Sequence, residues 1–553
     1  MRAEIKRENG AVRLFIDRKA VAPDAYITYV TPKACYEDFA AAGYSLFSLP
    51  VFFSSKTINE NAQYPAFSYG LFDADKPKWD LLDEDFRKIV RACPNACIFP
   101  RVNVSLSEAW ERANPDELND KGVVELHRPC FSSDKWAAEC TRLLGLFIDH
   151  VKQSDYAENV VGYQIAAGNT EEWLSHDGNA SIGLRSREKY AEWIAQTHLP
   201  DTEENYYDFL SEIVAKRICD FAAFVKEKAG SHSIVGSFYG YALQFCSRLS
   251  CHNALSTVLN CKDVDFLCSP VSYEKGRSLG RDHSSMVPWS SIAKHGKLYF
   301  AENDTRTHLS RSPFPDNPYF DQPVFAARTK RDAIEMLKMH YSRAMIYGYA
   351  HWWFDMFGGW FHDDEYMALL KKLRDVSVCS LSKDLGSVAE IAVFIDEKTS
   401  NAVSDYDLMY KFCANTRDCF GNIGAPVDCF LACDYDDVFD KYKAIILIEV
   451  APSELSERIK AKAKQKGIGV FVIGPNNYDE DPAVIRQFCR SNGAHVYCDD
   501  AVVYANQSYL FVHACKDGYL NINMPNGKAL SPIIGSAPNS FVEKGTGILF
   551  EIV

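Results

Sequence analysis

Short apolar runs alternate with amphipathic stretches through most of the chain. The runs "GYSLFSLPVFF" (43–53), "ACIFPRVNV" (96–104), "VVGYQIAAG" (160–168), "SIVGSFYGY" (233–241), "VDFLCSP" (264–270), "KLYFAEN" (297–303) and "AMIYGYAHWWF" (344–354) read as buried strands. Between them, "ACYEDFAAA", "DEDFRKIVRAC" (84–93), "DKWAAECTRLLGLFIDHVKQS" (134–154), "YYDFLSEIVAKRICDFAAFVKEKAG" (206–230) and "KRDAIEMLKMHYSRA" (330–344) carry helical spacing. The 206–230 stretch ends in Gly, a common helix stop. About eight strand–helix units over roughly 350 residues suit an α/β fold of the (β/α)8 barrel type better than an open sheet.

The pattern changes near residue 388. "AEIAVFID" (389–396), "YKAIILIEV" (442–450) and "GIGVFVIGP" (467–475) read as strands, with a helix over "SELSERIKAKAKQ" (453–465). This predicts a compact α/β domain of flavodoxin or Rossmann type. It has no GxGxxG loop, so no dinucleotide is expected there. The segments "DAVVYA", "YLFVHACKDGYLNINM" and "GILFEIV" predict a small β domain at the end. The expected divisions are 1–385, with a short N-terminal β segment ahead of the barrel, then 386–500 and 501–553.

Composition narrows the function. A net charge of −14 argues against nucleic acid and anionic membrane, both of which select basic surfaces. "MRAEIKRENGAVRLFIDRKA" has no apolar core of a signal peptide, and no run reaches the ~20 apolar residues of a membrane span. A cytoplasmic location is expected. The 18 cysteines then read mainly as free, buried thiols. Cys93 with Cys97, and Cys246 with Cys251, are too irregularly spaced to argue strongly for zinc. His176 and His351 read as hydrogen-bonding groups, and neither metal nor cofactor is expected. Aromatic residues make up 13% of the chain, enough for their placement to matter, because aromatic faces also stack on sugar rings.

In a (β/α)8 barrel, chemistry lies at the C-terminal ends of the strands. The run counted as strand two gives Arg101 and Asn103, with Trp110 beyond. Strand four runs into "GNTEEW", giving Asn169, Glu171 and Glu172. Strand five ends in Tyr239 and Tyr241, and strand six leads to Ser269, Tyr273 and Arg277. Strand seven ends in Glu302, Asn303, Asp304 and Arg306. Strand eight gives His351, Trp352, Trp353, Asp355 and Trp360. Glutamates on two strands of one mouth, ringed by Arg, Asn, Tyr and Trp, fit glycoside hydrolysis. One carboxylic acid protonates the departing oxygen, and a second carboxylate attacks the anomeric carbon or activates water. Blander readings exist for each: a first-turn helix cap for Glu171 and Glu172, a loop charge for Glu302, and core packing for the tryptophans.

With those residues in view, the chain resembles the clan A glycoside hydrolases, and among them the family 42 β-galactosidase-like proteins. The resemblance rests on the strand-four and strand-seven ends, "FPRVNVSLSEAW" and the Trp-rich strand eight. It implies a barrel, an amidotransferase-like α/β domain used in trimerisation, and a small β domain. It also implies Glu302 as nucleophile and a strand-four glutamate as acid/base in a retaining mechanism. The family places Asn directly before its acid, whereas here Thr170 separates Asn169 from the pair. The Glu–Trp step favours Glu172, with Glu171 as the alternative. Cys413, Cys419, Cys429 and Cys433 lack a Gly-x-Cys-x-Gly turn, so the second domain is expected to be structural, in a homodimer or homotrimer. The implied substrate is a small carbohydrate, with a β-galactoside first and a β-mannoside or other exo-cleaved sugar as alternatives. A glycan-binding protein without catalysis is the reading from a different class.

Overall fold

The computed structural model describes all residues except 56–68, 120–128, 169, 175–182, 245–246, 274–276, 305, 311–326 and 539. The eight barrel strands are β1 (Asp24–Ile27), β2 (Leu46–Phe47, resuming at Pro50–Phe52), β3 (Cys97–Ile98, resuming at Arg101–Asn103), β4 (Gly162–Ala166), β5 (Ile234–Phe238), β6 (Phe266–Pro270), β7 (Leu298–Asn303) and β8 (Ala350–Phe354). All neighbours are parallel, and β8 pairs back onto β1, which closes the sheet on itself. The seven predicted runs therefore hold β2 to β8, so "FPRVNV" belongs to the third strand rather than the second. The missing strand is β1. It is only four residues long and opens on Asp24, which left it without an apolar run to mark it.

Period-two alternation decides what enters the barrel. Phe99, Phe238, Phe266, Phe300 and Trp352 meet inside, with Phe300 5.4 Å from Phe99, 5.2 Å from Phe266 and 5.4 Å from Trp352 between ring centres. Two positions along from Phe99 and Phe300 come Arg101 and Glu302. The chemistry thus sits on an aromatic floor.

The helices around the barrel begin at side-chain caps. Ser133 accepts from the N–H of Trp136, Thr202 from that of Asn205, and Thr329 from that of Asp332. A three-stranded antiparallel sheet over residues 3–21 precedes β1.

Beyond the barrel, β9 (Ile391–Ile395), β10 (Val427–Leu431), β11 (Ala444–Ile448) and β12 (Gly469–Ile473) form a parallel sheet in the order β10-β9-β11-β12. This is the predicted α/β domain, with one strand, β10, that had not been read. Finally β13 (Ala501–Ala505), β14 (Tyr509–Ala514), β15 (Leu530–Ile534) and β16 (Gly547–Ile552) make an antiparallel sheet in the order β13-β14-β16-β15. No described helix is long and apolar enough to cross a membrane.

Candidate active site

Glu302 stands on β7 in regular extended backbone and points inward, buried. Its Oε2 accepts from Arg101 Nη2 at 2.7 Å and from Trp352 Nε1 at 2.9 Å. Burial raises the Glu302 carboxyl above its usual range; the Arg101 charge opposes this and Asp304 adds to it. Arg101 is itself 1% exposed. Its Nε donates to Gln164 on β4 and its Nη1 to the Tyr29 hydroxyl, while its plane lies over Phe238 at 4.7 Å and Trp352 at 5.3 Å. Burial alone would lower its pKa, but Glu302, Tyr29 and Glu171 outweigh that and keep it charged.

Near Glu302, in the turn beyond β4, are Glu171 and Glu172, and the backbone that presents them is unusual. Gly168, Thr170, Glu171 and Trp173 have φ of 72°, 52°, 68° and 60°. Left-handed conformations at three non-Gly residues cost on the order of 1–3 kcal/mol each and persist only where the surroundings hold them. Here Trp173 holds the turn: its N–H donates to Ala167 O at 2.7 Å and its indole N–H to Ile165 O at 3.1 Å. The pair therefore lies in a turn and not in the first turn of a helix; the next described helix begins at Leu184.

The two glutamates have different partners. Glu171 accepts from the Tyr29 hydroxyl and lies 3.6 Å from Arg101 Nη1. Its Oε1 finds no hydrogen-bond partner among the described residues. Glu172 accepts from Tyr241 Oη at 2.7 Å and from the Thr170 hydroxyl. His252 Nε2 holds the Glu172 backbone carbonyl at 2.8 Å, and its Nδ1 faces the Tyr241 N–H. Burial pushes Glu171 up to about 7 against the pull of Arg101. It pushes Glu172 up to about 8, with Thr170 opposing and the Glu302 charge adding.

The sequence-derived candidates divide accordingly. Arg101, Glu171, Glu172, Tyr241, Glu302 and Trp352 come together. Asn103 shares their face of β3, and its Nδ2 has no hydrogen-bond partner among the described residues. Tyr273 lies close enough for Glu172 and Glu302 to add to the burial and the Asp304 charge that raise its pKa, and the Arg277 guanidinium lies 4.1 Å from its ring centre. Asp304 forms a buried ion pair with Arg277. Arg306 lies over the Trp360 ring at 5.7 Å. Trp110 is half-buried in the short helix Glu108–Ala113. Asn169 and His176 lie outside the described residues.

Three candidates are corrected. Tyr239 follows the inward Phe238 and so faces outward, where its hydroxyl donates to the Ser211 and Cys251 carbonyls. Trp353 faces outward for the same reason and donates to Tyr44 Oη. Asp355 accepts from Tyr26 Oη and from the N–H groups of Gly359 and Trp360, so it ties the turn after β8 and has little capacity left for a sugar.

Tyr29, Gln164, Thr170 and His252 were missed. Gln164 had a signal, as the one polar side chain within the buried run "YQIAA". Tyr29 follows the unread β1. In the α/β domain Cys419 and Cys429 are free, and burial pushes Cys419 up to about 12 and Cys429 further, opposite to what a nucleophile needs. No group of three His, Cys, Asp or Glu suited to a metal occurs among the described residues.

No protein-family model matches the chain, and no curated protein does. Solved structures do. A β-galactosidase from the Antarctic haloarchaeon Halorubrum lacusprofundi aligns with a TM-score of 0.61 at 11% identity, over 96% of this chain and 99% of its own. A cold-adapted β-galactosidase from Rahnella sp. R3 aligns with 0.61 at 11%, over 100% of both chains. A family 42 exo-carrageenase from Bacteroides ovatus aligns with 0.59 at 11%, over 100% of this chain and 86% of its own. The chain therefore shares the overall fold of these glycoside hydrolases, at 11% identity.

Proposed function

We propose that the protein is a retaining, exo-acting β-glycosidase in which Glu302 is the nucleophile and Glu172 the acid/base. The observation that carries this reading is the unequal treatment of two facing carboxylates. Glu302 rests on a permanent cation and an indole N–H, which favour the anion needed for attack. Glu172 is buried among neutral hydroxyls and held near pH 8, so it keeps a proton at neutral pH.

In the first step Glu302 attacks the anomeric carbon and Glu172 gives its proton to the leaving oxygen. In the second, Glu172 takes a proton from the incoming water, which displaces Glu302. The implied carboxyl separation is ~5–5.5 Å. Asn103 Nδ2 and Gln164 Nε2, both without hydrogen-bond partners among the described residues, are available to sugar hydroxyls or to water that the sugar displaces.

A second assignment makes Glu171 the acid/base. The partnerless Oε1 of Glu171 favours it, since an acid needs one oxygen open to the substrate. Against it stands Arg101, which stabilises the deprotonated form.

Two of the structural neighbours are β-galactosidases and a third is an exo-carrageenase, so a β-galactoside is the first substrate to try. A panel of aryl β-glycosides of different sugars tests the reading. Turnover of one or more, with retention of anomeric configuration, is expected; no turnover of any would overturn it. The α/β domain is taken as structural, at a subunit contact.

A further inference from the structure

The segment after β6 leaves the site and ends among the accessory sheets. At the site end, Arg277 pairs with Asp304, donates to the Val271 and Ser272 carbonyls at 3.3 and 2.9 Å, and lies over Tyr273. Ser272 N–H donates to Ser284 O at 2.7 Å, so residues 277–285 return to where they started.

At the far end every anchor lies outside the barrel strands. Gly280 N–H donates to His513 Nε2 on β14 at 2.8 Å. Arg281 pairs with Asp418 of the α/β domain at 2.8 Å. Asp282, 3% exposed, accepts from Tyr504 Oη on β13 at 2.5 Å and from Arg343 Nη1 at 2.6 Å. His283 Nδ1 meets His340 Nε2 at 2.6 Å.

Close approach is built in. A Cβ on Gly421 would lie 2.3 Å from Asp282 Oδ2 and 2.5 Å from its Cβ. Burial pushes His283 and His513 down to about 3, so both rings act here as neutral hydrogen-bonding groups. A loop held only for solubility or packing would not need three buried polar anchors and a part-exposed ion pair on four separate elements, the buried ones costly to leave unpaired.

We infer that Tyr504 and His513 of the C-terminal sheet are positioning residues for the barrel site: they pin residues 277–285 and so hold Tyr273 and the Arg277–Asp304 pair beside the carboxylates. The accessory sheet on this view is part of the active-site wall. The kinetic consequence rests on the glycosidase reading above; the structural one does not.

The test uses the full chain and the aryl glycoside that the wild type turns over best. Tyr504→Phe and His513→Ala are each expected to raise KM about 5-fold or more while changing kcat less than about 2-fold. His513→Gln, whose amide oxygen can accept the Gly280 N–H, should restore most of the loss. In a Tyr273→Ala background the Tyr504→Phe effect should disappear, because both act through the same wall. Hydrogen exchange should quicken in peptides covering 277–285 and not in β7 or β8. Unchanged KM and unchanged exchange in both variants would overturn the inference, as would effects that simply multiply with Tyr273→Ala. Should Tyr504→Phe not fold, the His513 pair carries the same comparison. A wild type inactive on every glycoside would count against the glycosidase reading alone, and the exchange measurement would still decide the bracing.

Discussion

The two sides of the barrel mouth hold their carboxylates in opposite ways. Glu302 rises from a regular strand and is gripped by Arg101 and Trp352. Glu172 comes from a turn with left-handed φ at Thr170, Glu171 and Trp173, and is gripped by two hydroxyls. Burial is common to both and pushes both carboxyls upward. What separates them is the charge of the donor. A cation favours the anion strongly, while a neutral hydroxyl donor favours it only weakly. On the mechanism proposed above, a strand and a turn placed opposite each other divide one residue type into a nucleophile and an acid.

The difference can be broken from either side. Glu302→Gln should reduce kcat at least about 10³-fold on every glycoside while sugar still binds. Glu172→Ala should reduce turnover about 10²–10⁴-fold on substrates with poor leaving groups, much less on activated aryl glycosides, and azide should rescue it. The same pattern in Glu171→Ala, and not in Glu172→Ala, would transfer the role to Glu171.

Tyr241→Phe sharpens the contrast without abolishing it. The lost hydrogen bond favoured the Glu172 anion, so the alkaline limb of kcat/KM, expected near pH 8, should move up and the rate fall about 10-fold or less.

Stability should report the same protons, with a smaller effect. Glu171 and Glu172 have folded values of about 7 and about 8 against an ordinary value of 4.5. Raised carboxyl values stabilise the fold fully below the ordinary value and lose that contribution as pH rises through the folded ones. The Tm contribution of the pair should therefore fall between about pH 4.5 and about pH 8. Glu172→Gln, which cannot ionise, should flatten the upper part of that fall. A wild-type Tm that rises over this range would contradict the protonated assignment.

Much of this was legible in the chain. Glu302 ends an apolar run with polar residues packed behind it, and Arg101 ends another, so both strand ends could be read. The phase of alternation could not. Within "HWWF" nothing local says which Trp faces the barrel, and a shift of one residue exchanges the two faces. Trp353 and Tyr239 were misplaced for that reason. Asp355 was misread because its partners are backbone N–H groups, which a sequence does not display. Tyr29 stayed hidden because β1 is short and begins with a carboxylate. The strain at 170–173 was equally invisible, although the inserted Thr170 marked the place where it lies.

On the proposed mechanism Glu302, and not the strand-four pair, bonds to the sugar. Incubation with a 2-deoxy-2-fluoro glycosyl fluoride of the preferred sugar, then digestion and mass mapping, tests it directly. The expected result is one covalent glycosyl group per chain, on Glu302, with activity lost in step with labelling. A label on Glu171 or Glu172, or none on an enzyme that turns over the parent aryl glycoside, would contradict the account.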